Sequence, residues 1–346
     1  MKLHRHHFHA RPWAVAALLL VSGVGIGLNL NRFIPDQVAD LVSESAPAHQ
    51  YPLTIPAQRD RTYPGGKLEV EAQYGPQPGY KLSRIAYPSD GFKISGLMAT
   101  PTTPRPFFGY PVIILAHGYL AQAKYRTDGP EYRDFIRAFA LAGYVVIKPD
   151  FRGYGTSWGA PQSAYYSPSD NADILNLATS LSLYEPVDAS RVGLFGHSMG
   201  GHVALGAVTV APSRFKAAVI ASAGVGEIGD MYAGWHPRSD IDNPEAVVER
   251  DRITELFGDP KHDPAFWAKV SPFTYARQIT TPLLLSHGTV DKVIPVRFTQ
   301  QLAATLAAAG HPAIVYIQPG AGHVYAGRDK ANLIAGSLAL FDKFVK

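Results

Sequence analysis

Three residues of this chain have side chains suited to acyl transfer, and each stands where an apolar run ends. Ser198 lies in "GLFGHSMGG", between Gly196 and Gly200; Asp291 lies in "SHGTVDKVIP"; His323 lies in "PGAGHVYAG". A serine hydroxyl is a weak nucleophile unless a base takes its proton. Histidine can be that base, and a carboxylate can hold the imidazole in the tautomer that accepts the proton. The chain order Ser, Asp, His is one of the orders in which such a set recurs. The flanking glycines fit a sharp strand-to-helix turn that presents the serine on a strained backbone. The helix after such a turn directs its first N–H groups at a developing negative charge.

Each of these residues also has an ordinary use. Small residues let a strand pack on a helix, aspartates sit in turns, and loop histidines are common. Position separates the two readings. In open parallel sheets, reacting groups lie beyond the carboxyl ends of the strands, and His117, Asp150, Ser198, Asp291 and His323 all follow apolar runs. His287 is a rival base, but it precedes Asp291 and falls at the end of its own strand. His197 and His202 flank the serine; His197 points away from it or lines the rim, and His202 reads as helix packing. An oxyanion needs two donors. The N–H of Met199, next to the nucleophile, is the first candidate. The N–H of Tyr119, after "VIILAHGY", is the second, with the His117 side chain as a secondary candidate. Trp235, Trp267 and Tyr232, with Met231 and Phe266, line an apolar substrate pocket or form the core of an insertion. Arg152 and Tyr154 in "DFRGYG" read equally as a turn or as substrate contacts.

These groups need a scaffold. "PVIILAHG", "YVVIKPD", "RVGLFG", "FKAAVIASA", "PLLLSHG" and "PAIVYIQ" are six short apolar runs that alternate with helix-spaced segments. That pattern predicts a parallel sheet covered on both faces. Ahead of it, "YKLSRIAYPS" and "FKISGLMATP" alternate around Asp90-Gly91, a hairpin signal, and "KLEVEAQY" is a further alternating run. The expectation is a mostly parallel α/β sheet of about eight strands. An insertion over about 224–281, with "PEAVVERDRITELFG" and "PAFWAKV" at helical spacing, is too long for a loop and reads as a helical lid.

Composition removes several classes. The chain has 346 residues, 46% of them apolar, and no cysteine, so disulfides, thiolate metal sites and cysteine nucleophiles are excluded. The net charge is +4. Lys2, Arg5, Arg11 and Arg32 all precede the first acidic residue, Asp36, and account for it. The remainder is neutral and carries no basic patch of the kind nucleic acid requires. "RPWAVAALLLVSGVGIGLNLN" holds no charge between its terminal arginines, and one helical membrane crossing takes about 20 residues. The segments read as a basic cytoplasmic flank (1–11), a transmembrane signal anchor or signal peptide (12–31), a proline-bearing linker (32–64) and the catalytic domain (65–346). The positive flank predicts a domain held outside the cytoplasm, membrane-anchored or secreted. His4, His6, His7 and His9 belong to the flank, with no acidic partner for a metal.

The stretches "AHGY", "PDFRGYGTS", "GLFGHSMGG", "PLLLSHGTVDKVIP" and "PGAGHVYAG" resemble the α/β-hydrolase fold. More narrowly, they are similar to the catalytic domain of the prolyl oligopeptidase family of serine peptidases, over about Tyr80 to Lys346. The resemblance implies Ser198, Asp291 and His323 as a catalytic triad, with no metal or organic cofactor. Two features depart from it. Family members usually carry a large β-propeller before the hydrolase domain, and too few residues stand between the apolar segment and the first strands for one. Members also commonly place a tyrosine hydroxyl in the oxyanion site, where this chain has His117-Gly118-Tyr119. The expected function is a serine hydrolase acting on a small-molecule ester or a peptide through an acyl-enzyme, first as a prolyl oligopeptidase-like peptidase. A carboxylesterase acting on small acyl esters is the alternative, and a non-catalytic binding module on the same fold is a remote one.

Overall fold

A computed structural model describes residues 53–346 apart from 163, 166 and 235–243, and the side chains of 232–250 stand outside that description as well. The segments 1–11 and 12–31, and the linker as far as residue 52, lie outside the described residues. Among the described residues no helix is long and apolar enough to cross a membrane.

The last part of the expected linker is docked on the domain. Thr54 caps a short helix, α1 (Ile55–Arg59), by accepting the N–H of Ala57. Pro56 falls in its first turn, where a missing N–H costs nothing. Ile55 is buried, and the Arg59 guanidinium donates to the Thr209 carbonyl at 2.9 and 3.1 Å.

The strands form one nine-stranded sheet in the order β1-β2-β3-β5-β4-β6-β7-β8-β9. Their ranges are β1 (Glu69–Gln73), β2 (Tyr80–Ser89), β3 (Phe92–Pro101), β4 (Tyr110–Ala116), β5 (Val145–Pro149), β6 (Val187–His197), β7 (Ala217–Ala221), β8 (Leu283–Gly288) and β9 (Ile314–Gln318). The expected count was about eight. The ninth is β1, an exposed antiparallel edge that falls within the alternating run "KLEVEAQY". β2 and β3 form the hairpin, with Asp90 and Gly91 both at positive φ, as a two-residue type I′ turn demands. From β5 to β9 the pairing is parallel, and β4, β5, β7 and β8 are buried throughout.

Two apolar cores cover the sheet. One contains residues of α3 (Ser169–Ser180), α4 (Met199–Val210) and α8 (Val296–Ala308); the other contains residues of α2 (Arg133–Leu141) and α9 (Gly327–Phe344). The insertion between β7 and β8 is helical, with α5 (Ile228–Gly234), α6 (Pro244–Phe257) and α7 (Pro264–Val270). It builds a small core of its own from Met231, Ile253 and Trp267, joined by Tyr165, Ile294 and Phe298. Ile294 stands three residues past Asp291, so the insertion packs on that residue's loop.

The sheet order explains where a site can form. β4 lies between β5 and β6. Its chain leaves toward one neighbour, and the chain returns on the other side as β6. A crevice opens at that reversal, beyond the carboxyl ends of the two strands. The 117–119 loop ends β4 and Ser198 ends β6, so both face it.

Candidate active site

Ser198 has φ 57° and ψ −123°, a backbone state costing about 1–3 kcal/mol for a residue with a side chain. The neighbours hold it there. Its N–H donates to the Ala221 carbonyl of β7 at 2.9 Å, and its carbonyl accepts the Gly201 N–H at 2.9 Å. A Cβ on Gly196 would collide with the Gly200 carbonyl, and one on Gly200 would come within 2.5 Å of the His117 carbonyl oxygen. The two glycines are the steric condition for the turn. α4 begins at Met199, so the Met199 N–H heads the helix and has no intrahelical acceptor.

The structure brings the three predicted side chains together. His323 Nε2 lies 2.9 Å from Ser198 Oγ, and His323 Nδ1 lies 2.8 Å from Asp291 Oδ2. A carboxylate only accepts, so Nδ1 carries the proton and Nε2 is free to take one from the serine. Asp291 is itself held on four sides. Its Oδ1 accepts the N–H groups of Val293 and Ile294 at 2.8 and 2.9 Å, and His287 Nε2 stands 3.1 Å from Oδ2. Burial works to raise the Asp291 pKa. The hydrogen bonds from His287, His323 and the Ile294 N–H outweigh it and hold the carboxyl well below the usual range. The loops carrying Asp291 and His323 are pressed together, with the Val290 N–H donating to the Ala321 carbonyl at 3.1 Å.

His287 is therefore not a rival base. Its Nδ1 meets Thr299 Oγ1 at 2.7 Å, its Nε2 also meets the Ile294 carbonyl at 3.0 Å, and it stands behind Asp291 as a second donor. Sequence reasoning missed this role, although the four-residue spacing at a strand end was visible. His202 is bound at Nδ1 to the Gly224 carbonyl, which agrees with a packing role.

His117 corrects a second expectation. Its ring is buried among Tyr125, Phe151 and Tyr154, and Nδ1 lies 2.8 Å from the Gly118 carbonyl. Burial, then the nearby Lys148, push its pKa down to about 3, so the ring is neutral with a single N–H. The carbonyl takes that N–H, and the side chain has none left to donate to an oxyanion. The Gly118 N–H is also occupied, by Tyr132 Oη at 2.6 Å. Tyr119, the next residue, keeps its place as the loop's candidate donor.

The other candidates divide. Trp267 is fully buried, and its indole N–H donates to the Gly258 carbonyl at 2.9 Å, so it is core of the insertion and not a substrate contact. Met231 belongs to the same core, and Phe266 stacks on Phe257. Trp235 and the side chain of Tyr232 lie outside the described residues. Arg152 turns inward: its guanidinium binds Asp173 at 2.8 Å and Asp90 at 2.7 Å. Asp150 is buried and accepts from Tyr125 Oη, Thr127 Oγ1 and Ser95 Oγ. Tyr154 is buried beside His117.

The sequence model of the prolyl oligopeptidase family matches residues 130–346. The chain belongs to the prolyl oligopeptidase family. A relative from Bacillus subtilis (strain 168), the uncharacterized peptidase YtmA, is 27% identical over 239 residues, covering 68% of this chain and 84% of the relative. Dipeptidyl-peptidase 5 of Porphyromonas gingivalis is 29% identical over 206 residues, 56% of this chain; the match spans only 27% of that longer protein. Among solved structures, an acetyl xylan esterase from Paenibacillus sp. R4 superposes with a TM-score of 0.60 at 18% identity, over 90% of this chain and 100% of the esterase. That likeness shows the α/β-hydrolase fold. As a member of this family with peptidases among its relatives, the chain is a serine hydrolase. The reading as a non-catalytic module falls.

Proposed function

We propose that the chain cleaves peptide amides through an acyl-enzyme on Ser198. The observation that carries this is the line Ser198 Oγ, His323, Asp291, with both hydrogen bonds under 3 Å. Ser198 gives its proton to His323 Nε2 as its oxygen bonds to the substrate carbonyl carbon. The carbonyl oxygen takes the negative charge, with the Met199 and Tyr119 N–H groups as its donors. The C–N bond then breaks, and the amine leaves with the proton from His323. Water repeats the sequence on the acyl-enzyme: it gives a proton to His323, its oxygen bonds to the acyl carbon, and the acid leaves as Ser198 regains its proton. Asp291 keeps the imidazole in the required tautomer and stabilises the imidazolium that forms twice.

Membership of a peptidase family supports the amide substrate. One observation favours the second reading, a carboxylesterase: the chain matches a whole esterase structure but only a fraction of the dipeptidyl-peptidase. Comparing p-nitrophenyl acyl esters with proline-containing peptide p-nitroanilides tests both. Turnover of the anilides is the expected result. Turnover of esters alone assigns the esterase reading, and turnover of neither overturns both. Placement outside the cytoplasm is proposed on the uncharged stretch 12–31 and the basic flank ahead of it, and N-terminal sequencing of the mature protein tests whether that stretch is retained.

A further inference from the structure

We infer that Tyr132 and His197 are positioning residues, whose hydrogen bonds join the 117–119 loop, the serine turn and the backbone of His323 in one register. The inference deepens the acyl-enzyme reading and rests on it.

The direction of the chain follows from its ends. His197 Nε2 lies 2.9 Å from the His323 carbonyl oxygen. A carbonyl accepts only, so Nε2 carries the proton. Burial first, then the neighbouring His323, push the His197 pKa down to about 4, and the neutral ring has a lone pair at Nδ1. Tyr132 Oη stands 3.0 Å from that nitrogen and donates to it. The same oxygen accepts the Gly118 N–H at 2.6 Å. Gly118 thus donates to Tyr132, Tyr132 to His197, and His197 to His323. Every donor has an acceptor, and successive bonds in such a chain polarise one another.

Each end of the chain bears on a reacting group. At one end, a Cβ on Gly118 would stand 3.1 Å from Ser198 Cβ, so Tyr132 sets how the loop sits over the nucleophile. His117 takes the Gly118 carbonyl from the other side, and both polar groups of that residue are fixed. In a trans peptide the N–H points away from the C=O. Holding the Gly118 carbonyl against His117 therefore turns the Tyr119 N–H away from His117. At the other end, His197 precedes Ser198 in the chain and fastens the His323 main chain, while Asp291 fastens its ring. The base is held at both ends, and its Nε2 is placed relative to Ser198 Oγ by bonds that start from the neighbouring residue. Misplacement of reacting atoms by about 1 Å costs on the order of 100-fold in rate.

Tyr132→Phe keeps the ring and removes the oxygen. Its expected effect is a kcat for p-nitrophenyl acetate lower by about 10- to 100-fold, with KM within about 3-fold. The rate of labelling by a fluorophosphonate should fall in parallel, while labelling still runs to one adduct per chain. A purely structural role would lower the final stoichiometry and leave the rate per competent site unchanged. As a second variant, His197→Gln keeps an N–H for the His323 carbonyl and should retain more activity than His197→Leu. A Tyr132→Phe chain that labels at the parent rate, or that loses only stoichiometry, overturns the inference alone. A parent chain that fails to label overturns the acyl-enzyme reading and this inference with it.

Discussion

Replacing Asp291 by asparagine changes one atom and leaves four donors competing for one oxygen. In the parent, Oδ1 accepts from the Val293 and Ile294 N–H groups, and Oδ2 accepts from His323 Nδ1 and faces His287 Nε2. If the amide oxygen stays with the backbone pair, the new NH2 points at both histidines. His323 must then accept at Nδ1, its proton moves to Nε2, and the lone pair that receives the Ser198 proton is gone. His287 cannot yield in the same way, because the Ile294 carbonyl needs its Nε2–H. If the amide turns over, the NH2 meets two backbone donors instead. Either rotamer strands buried donors at about 1–3 kcal/mol each, so Tm should fall. Loss of the tautomer-setting carboxylate costs about 10⁴-fold in kcat in serine hydrolases, and at 1.36 kcal/mol per tenfold that is about 5.5 kcal/mol of barrier. The assay is steady-state hydrolysis of p-nitrophenyl acetate by parent and variant at one pH, with a thermal melt of each. A variant whose kcat stays within tenfold of the parent would refute the reasoning.

Arg152→Met leaves the buried carboxylate of Asp173 and the half-buried one of Asp90 without this guanidinium. Breaking a buried pair of this kind costs about 3–5 kcal/mol, so the urea midpoint should drop sharply; an unchanged midpoint contradicts the inward reading of this residue. Asp170 is buried, and burial, with the nearby Asp173, raises its pKa from 3.8 to about 8. Between about pH 4 and 8 the native state therefore holds a proton that the unfolded chain has already released. The parent should lose stability as pH rises through that window, by about 1.4 kcal/mol per unit from this group. Asp170→Asn removes that slope, and urea melts at pH 5 and pH 8 should show the variant gaining on the parent; equal slopes would contradict the burial argument. In Gly288→Ala the new Cβ is driven against the Ala321 carbonyl, with Gly322 O at 2.8 Å. Spreading the Asp291 and His323 loops should cost kcat on the order of 100-fold while the fold is kept. Activity equal to the parent's would show that loop spacing does not matter.

The parallel strands were readable because strands buried on both faces must be apolar throughout, and β4, β5, β7 and β8 are. Once those runs were placed, the position of Ser198, Asp291 and His323 at strand ends followed from chain order. β1 was legible only as the alternation in "KLEVEAQY", because an exposed edge needs no apolar face and Glu69 and Glu71 stand on it. For Arg152 the sequence showed a turn but not which way the side chain leaves it, since Asp90 and Asp173 approach from a hairpin and a helix far along the chain. Trp267 had the size and apolarity of a pocket wall and of a core residue alike, and only packing against Ile253 and Phe298 decides between them. The Tyr132–Gly118 bond left no trace in the pattern. It joins irregular segments 14 residues apart, where no periodicity exists to read.

The central claim is that Ser198 is the nucleophile. Intact and peptide mass spectrometry after fluorophosphonate treatment tests it on parent and Ser198→Ala chains with matching thermal melts. The account predicts one phosphonyl adduct on the parent, carried by the peptide containing Ser198, and none on the variant. An adduct on the variant, or one placed elsewhere on the parent, would contradict it.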